Sequence, residues 1–272
     1  MRSYDVIKGI QDLTSLSWDE RATSSGTAGT YLKARSGSGS RMLYYKLSHF
    51  NGLAIDGHEC VNEVVASRLM GLLGIDHVEY RLVHAKVTVD GREFETWLNS
   101  SKNFRGRGER KQALGAFYEL RKLSDEDPFA FCERYGWANA IKKMMVVDYL
   151  IANRDRHASN IEVLVGPDGK PRLAPLFDSG LSLLAPCADD VERAGAFDPL
   201  RPVATANFVG SRSLEENLEL AADAEGLGTL AESDRAFLFA NLEEALPPIY
   251  YRKMWEIVWE RWQRYADIRT SR

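Results

Sequence analysis

The residues best suited to chemistry lie in one short run, Asn153-Arg154-Asp155-Arg156-His157-Ala158-Ser159-Asn160, and in Phe177-Asp178-Ser179-Gly180 further along the chain. A carboxylate and a carboxamide five residues apart, with a second carboxylate downstream, are the groups phosphoryl transfer requires. One carboxylate must orient the attacking hydroxyl and accept its proton, and oxygen ligands must hold magnesium against the phosphates. Asp155 suits the first role. Asn160 and Asp178 suit the second, because magnesium prefers carboxylate and amide oxygens. Alone, Asp155 and Asn160 would read equally well as turn and cap residues.

Upstream residues favour the chemical reading. Lys46 stands inside the apolar run Met42-Leu43-Tyr44-Tyr45-Lys46-Leu47, where a lysine is costly unless paired. Glu63 follows on the next element, and a strand lysine paired with a helix glutamate grips phosphates in kinases. The cluster Gly26-Thr27-Ala28-Gly29 precedes the lysine and could offer backbone N–H groups to phosphate oxygens.

These residues need elements to position them. The apolar pattern of residues 138–152 predicts a helix that ends where the Asp155 loop begins. Residues 161–165 and 172–177 form a hairpin around Pro167-Asp168-Gly169-Lys170, which would return Asp178 beside that loop. Upstream, strands are expected over 31–34 and 42–47, and a helix over 59–73 from its three- and four-residue apolar spacing. Two further strands, 78–89 and 92–98, meet at Asp90-Gly91. Otherwise residues 1–40 read as polar loop.

The first hundred residues therefore predict a small antiparallel sheet carrying one helix, and the remainder is mostly helical. The run Ser124-Asp125-Glu126-Asp127 can cap a helix that includes Phe129, Phe131 and Cys132. Ser213 caps another, a third is expected over 233–246, and a last one starts at Pro247-Pro248 with a core-packing stripe of Trp255, Trp259 and Trp262. Asp148 reads as a helix-surface charge, Arg156 as a loop charge, and His157 as a residue that organises its loop. Arg105, Arg107, Arg110 and Lys111 read as a solvated loop.

Taken together, the motifs resemble the HipA family of bacterial toxin-type serine/threonine kinases, which has a protein-kinase-like fold. The family's catalytic loop reads D-x-H-x-x-N, matched by Asp155-Arg156-His157-Ala158-Ser159-Asn160. Its metal-binding aspartate follows two apolar residues, as in Leu176-Phe177-Asp178, and its Asn-Glu helix is matched by Asn62-Glu63. The resemblance implies an α+β, bilobal fold with a small antiparallel-sheet N-lobe over 1–98 and a mostly helical C-lobe over 99–272. It implies an ATP- and magnesium-dependent kinase with Asp155 as catalytic base, Asn160 and Asp178 on the metal, and Lys46, Glu63, Gly26 and Gly29 at the nucleotide. Members autophosphorylate serines of the glycine loop, which makes Ser24 and Ser25 the candidates here. Full-length members carry an extra N-terminal subdomain for which this sequence has no room. The likeness is therefore to shorter kinase cores, some of which work beside a small partner protein or antitoxin. The same loop logic serves phosphatidylinositol kinases, small-molecule phosphotransferases and silent nucleotide-binding regulators.

Bulk properties narrow the classes. The 272 residues are 44% hydrophobic and 27% charged with a net charge of −4, which supports a full core and argues against a general or sequence-specific nucleic-acid binder. The widely spaced Cys60, Cys132 and Cys187 form neither a disulfide framework nor a zinc pair. With no signal sequence and no long apolar run, the expectation is a cytoplasmic protein with no membrane association and a protein substrate.

Overall fold

The computed structural model describes residues 5–19, 31–188 and 190–271. Its N-terminal part is a five-stranded sheet of β1 (Val6–Leu13), β2 (Lys33–Ser36), β3 (Leu43–Leu47), β4 (Tyr80–Val89) and β5 (Arg92–Lys102). The strands lie in the order β1-β4-β5-β3-β2. The last four pair antiparallel, and the β4–β5 turn places Asp90 at φ 50° and Gly91 at φ 75°, the left-handed pair that a two-residue hairpin favours. β1 was not foreseen. It joins the free edge of β4 in parallel, through a register irregularity between Ile7 and Gln11, so the sheet is mixed. Its residues are all half-buried or exposed, so it carries little of the apolar alternation that marks a strand.

The helix α1 (Glu59–Leu72) packs one face of the sheet. Val61, Val64, Val65 and Leu69 carry it into the larger core, shared with the C-terminal helices. A smaller core covers the opposite face, where Leu47, Val83, Ala85, Val87 and Leu98 meet Leu32 and Tyr45. Side chains alternate along a strand, so Lys46, between Tyr45 and Leu47, is directed to the α1 side.

The C-terminal part comprises α2 (Leu114–Arg121), α3 (Pro128–Arg134), α4 (Ala138–Leu150), α5 (Val191–Gly195), α6 (Leu214–Leu220), α7 (Arg235–Leu238) and α8 (Pro248–Thr270). A three-stranded antiparallel sheet of β6 (Arg110–Ala113), β7 (Glu162–Val165) and β8 (Pro171–Leu173) accompanies them. The architecture is α+β, with the sheet first and the helices after it.

Capping explains two helix starts. The Asp127 carboxylate accepts the N–H groups of Phe129 and Ala130, and the Ser213 hydroxyl accepts that of Glu216. Two expectations need correction. Arg110 and Lys111 belong to β6 rather than to a solvated loop, because the short strand pairs with β7. The helix expected over 233–246 is reduced to short turns around α7, with Asn241 left-handed at φ 62° beyond it. Leu238 and Leu242 are buried nonetheless, so the apolar spacing reflected core contact rather than a continuous helix. Trp255 and Trp262 are buried in the core beside Met254, Ile257 and Val258. The three cysteines are buried and free. Among the described residues no helix is long and apolar enough to cross a membrane.

The irregular stretch before α6 is held by Arg261 of α8, whose side chain is fully buried. Its guanidinium donates to the carbonyls of Pro199 (2.8 Å), Arg201 (2.7 Å) and Tyr149 (3.2 Å). Replacing it by methionine would leave three carbonyls without this donor. Arg261→Met is expected to lower stability by about 3 kcal/mol, read as a fall in the urea midpoint.

Candidate active site

The α1 face of β3 presents Lys46, and α1 presents Glu63 on its second turn. The Lys46 ammonium donates to Glu63 Oε1 at 3.1 Å and to Asp178 Oδ1 at 2.5 Å. It also lies 4.9 Å from the centre of the Tyr31 ring. Lys46 and Glu63 are nearly sealed from solvent, whereas the Asp178 side chain keeps 27% of its exposure, so one edge of the cluster is open. Burial works against the charge on Lys46, but Asp178 and Glu63 outweigh it and hold its pKa well above the ordinary value. Burial likewise opposes ionisation of Asp178. Lys46 and then Lys33 prevail and keep its carboxyl at about 2. Burial raises Glu63, with Lys46 pulling the other way.

Asp178 holds a left-handed backbone, φ 59°, which a short polar side chain tolerates better than most. Four hydrogen bonds hold the segment. The Asp178 N–H reaches the Tyr80 hydroxyl at 3.4 Å, the Ser179 N–H donates to Glu63 Oε2 at 2.9 Å, and the Asn62 amide donates to the carbonyls of Gly180 and Ser182. Glycine at 180 reflects close approach, since a Cβ there would meet the Glu59 Cβ at 3.0 Å. Glu63 thus braces both the lysine and the aspartate segment.

The Asp155 loop leaves α4 through Ala152, left-handed at φ 51°. The Asn160 amide nitrogen donates to the Asp155 carbonyl at 2.9 Å and approaches its carboxylate at 3.3 Å. That commits the nitrogen, and among the described residues Asn160 Oδ1 accepts no hydrogen bond. The Asn153 carbonyl group of the side chain accepts the Asp155 N–H at 3.2 Å. His157 Nδ1 accepts the Ser159 N–H, and its other nitrogen lies 3.6 Å from the Asp155 carboxylate, which fits a residue that organises the loop.

Arg156 and Asp148 overturn the reading as surface and loop charges. Both side chains are fully buried and bonded to each other, at 2.8 Å through Nη2 and 2.9 Å through Nε. Arg156 Nη1 also donates to the carbonyls of Phe177 (2.7 Å) and Asn160 (3.2 Å). The Asn153 amide supplies Asp148 with a further donor at 2.8 Å. One guanidinium therefore ties α4, the end of the Asp155 loop and the residue before Asp178. The signal was present, since a lone aspartate inside Met144-Met145-Val146-Val147-Asp148-Tyr149-Leu150 has no water to face.

Two other features escaped sequence reading. Lys33 is paired with Lys46 across β2 and β3, and so lies on the same face. Lys111 is buried against Glu162 at 2.9 Å and lies over Phe104, which in turn stacks on Phe177. Gly26, Gly29, Ser24 and Ser25 lie outside the described residues. Among the described residues no three His, Cys, Asp or Glu side chains gather as a metal cage.

No protein-family model and no curated protein matches the sequence. Solved structures do match in fold. The Helicobacter pylori proinflammatory kinase CtkA aligns with a TM-score of 0.65 at 17% identity, over 96% of this chain and 98% of that one. The toxin–antitoxin complex of HipA, HipB and operator DNA from Shewanella oneidensis MR-1 aligns with a TM-score of 0.51 at 15% identity, over 90% of this chain and 66% of the matched one. The fold is therefore protein-kinase-like.

Two outcomes follow from this geometry. Removing one member of a buried pair strands the other charge, so Asp148→Ala is expected to cost about 3–5 kcal/mol in urea unfolding. The double replacement Asp148→Leu with Arg156→Met should cost less than Asp148→Ala alone. For Asp178 the folded pKa lies below the unfolded one. Its ionic contribution is complete above about pH 4 and is lost as pH falls through about 2. The wild type should therefore lose stability relative to Asp178→Asn across that window. Parallel curves for the two proteins would count against a lysine-held carboxylate.

Proposed function

We propose that this chain is an ATP- and magnesium-dependent phosphotransferase, specifically a serine/threonine protein kinase of the HipA type that also phosphorylates itself. The observation that carries the reading is Lys46 joined at once to Glu63 and Asp178, on a fold shared with kinase structures.

The donors present suit magnesium. Asp178 is ionised, and its Oδ2 accepts no hydrogen bond among the described residues, while the Asn160 nitrogen is committed and its oxygen is not. Two protein oxygens are few for a cage but ordinary for magnesium, which keeps waters and phosphate oxygens in its shell. When bound, the ion would neutralise charge on the phosphates.

The chain's own residues then take distinct roles. Lys46, oriented by Glu63, contacts the phosphate chain. Asp155 receives the proton of the acceptor hydroxyl as that oxygen bonds to the terminal phosphorus, and the bond to the β-phosphate oxygen breaks to leave ADP. Asn160 keeps Asp155 turned toward the acceptor through its amide contact. The acceptor is a serine or threonine of a protein, and Ser24 and Ser25 are the proposed sites of self-labelling. The HipA type brings with it a small partner or antitoxin and a cytoplasmic setting.

Incubation with γ-labelled ATP and magnesium should place label on the wild-type chain or on an added protein. Label should fall at least about a hundredfold in Asp155→Ala, and also in Asp178→Asn and Lys46→Met. Mapping of the labelled site is expected to give Ser24 or Ser25. A wild type that binds ATP yet labels neither itself nor any protein would sink the reading.

A further inference from the structure

Arg154 directly precedes the candidate base, and its side chain enters a neighbourhood short of negative charge. It is half-buried, and Nη1 donates to the Ala152 carbonyl at 3.1 Å. The groups facing it are Arg201, Arg261 and Arg193, which repel it, with only the Cys187 thiol opposing them. Burial and these cations push its pKa down to about 10. The same residues gather around Cys187, where Arg193, Arg154 and Arg201 face the thiol against Asp190.

The carboxylates of this stretch are turned to the backbone. Asp190 Oδ1 accepts the Arg193 N–H at 2.8 Å, and Asp198 Oδ1 accepts the Leu200 N–H at 3.0 Å. Arg261 is committed to its three carbonyls and lies 4.0 Å from Glu215. Arg193 and Arg201 are exposed, and neither they nor Arg154 form an ion pair among the described residues. Arg201 rests over the Phe197 ring, 5.5 Å from its centre, which limits where its guanidinium can go. The Ala206 N–H donates to the Arg154 carbonyl at 2.8 Å and the Phe208 N–H to the Arg156 carbonyl at 3.1 Å, so residues 206–208 run alongside Asp155. A protein that brings a hydroxyl to Asp155 lays the residues beside that hydroxyl on this border.

We propose that Arg193 and Arg201, backed by Arg154, bind acidic side chains of the protein acceptor, so that the preferred serine or threonine is one flanked by aspartate or glutamate; this rests on the kinase reading above. The whole chain carries a net charge of −4, so an acidic polypeptide is repelled at large and attracted only where cations collect. The patch therefore selects the acceptor by its charge and sets it down beside Asp155.

The test presents the full chain with γ-labelled ATP, magnesium and peptides that differ only in the residues flanking one serine: glutamates, glutamines or lysines. Wild type should favour the glutamate peptide over the glutamine peptide in kcat/KM by at least about tenfold, the effect of one charge-assisted hydrogen bond. The preference should shrink as salt rises. Arg193→Gln with Arg201→Gln should bring the ratio below about twofold, and Arg193→Glu with Arg201→Glu should shift the preference to the lysine peptide. Fluorescence anisotropy with the serine replaced by alanine reads binding without transfer and should rank the peptides in the same order. Equal kcat/KM for the glutamate and glutamine peptides in wild type, or equal binding of the two, would overturn the inference and leave the kinase reading standing. A preference that survives the double glutamine replacement would also overturn it, since other groups would then read the charge. So would a double glutamate variant that loses all three peptides alike, which marks damage to the fold rather than a change of charge. A wild type that labels neither a peptide, itself nor any added protein would overturn the kinase reading, and this inference with it.

Discussion

The arrangement of the site depends on one buried ion pair, Asp148 with Arg156. Neither side chain touches water, so each charge is tolerable only because the other is in direct contact and the remaining donors find carbonyls. That requirement is geometric as well as energetic. A planar guanidinium that must satisfy a helix aspartate, the Asn160 carbonyl and the Phe177 carbonyl together leaves little freedom to the three segments that supply them. Two of those segments carry Asp155, Asn160 and Asp178. The distance between the candidate base and the candidate metal ligands is thus governed by a residue that is neither.

A second constraint comes from the cluster of Lys46, Glu63 and Asp178. Strand alternation delivers Lys46 toward α1, and helix geometry delivers Glu63 to meet it. The same glutamate accepts the Ser179 N–H, which helps hold Asp178 in its left-handed conformation. An unfavourable backbone of this kind persists only where its surroundings over-determine it. Here Tyr80, Glu63 and Asn62 all contribute. The polar contacts form one connected set from β3 through α1 to the segment after β8, so disturbance at one end is felt at the other.

The likeness to kinase structures at 15–17% identity belongs with this economy of contacts. Few positions set the geometry, and most of the chain serves to bury apolar surface, which many side chains can do. What such a likeness establishes is the fold. The chemistry has to be argued from the side chains, and the proposal made here rests on the ionised Asp178, on Asn160 and on the partly open Asp155.

Much of this was legible from local pattern. Residue type and spacing singled out Asp155, Asn160 and Asp178 as candidates, and a lysine in an apolar strand required a partner that the structure supplies in Glu63. The β4–β5 hairpin, α1, α4 and α8 followed from period and turn chemistry, because those signals arise between residues close in sequence. Strand β1 was not legible, since an edge strand with a largely wet surface carries no strong alternation. The continuous helix expected over 233–246 failed for the converse reason: buried leucines mark contact with a core, whatever the backbone between them does. The burial of Arg156 with Asp148, the placing of Lys33 beside Lys46 and the pairing of Lys111 with Glu162 were decided by the tertiary structure alone. A charged residue looks the same in sequence whether it meets water or a partner, and only the approach of distant segments determines which it meets.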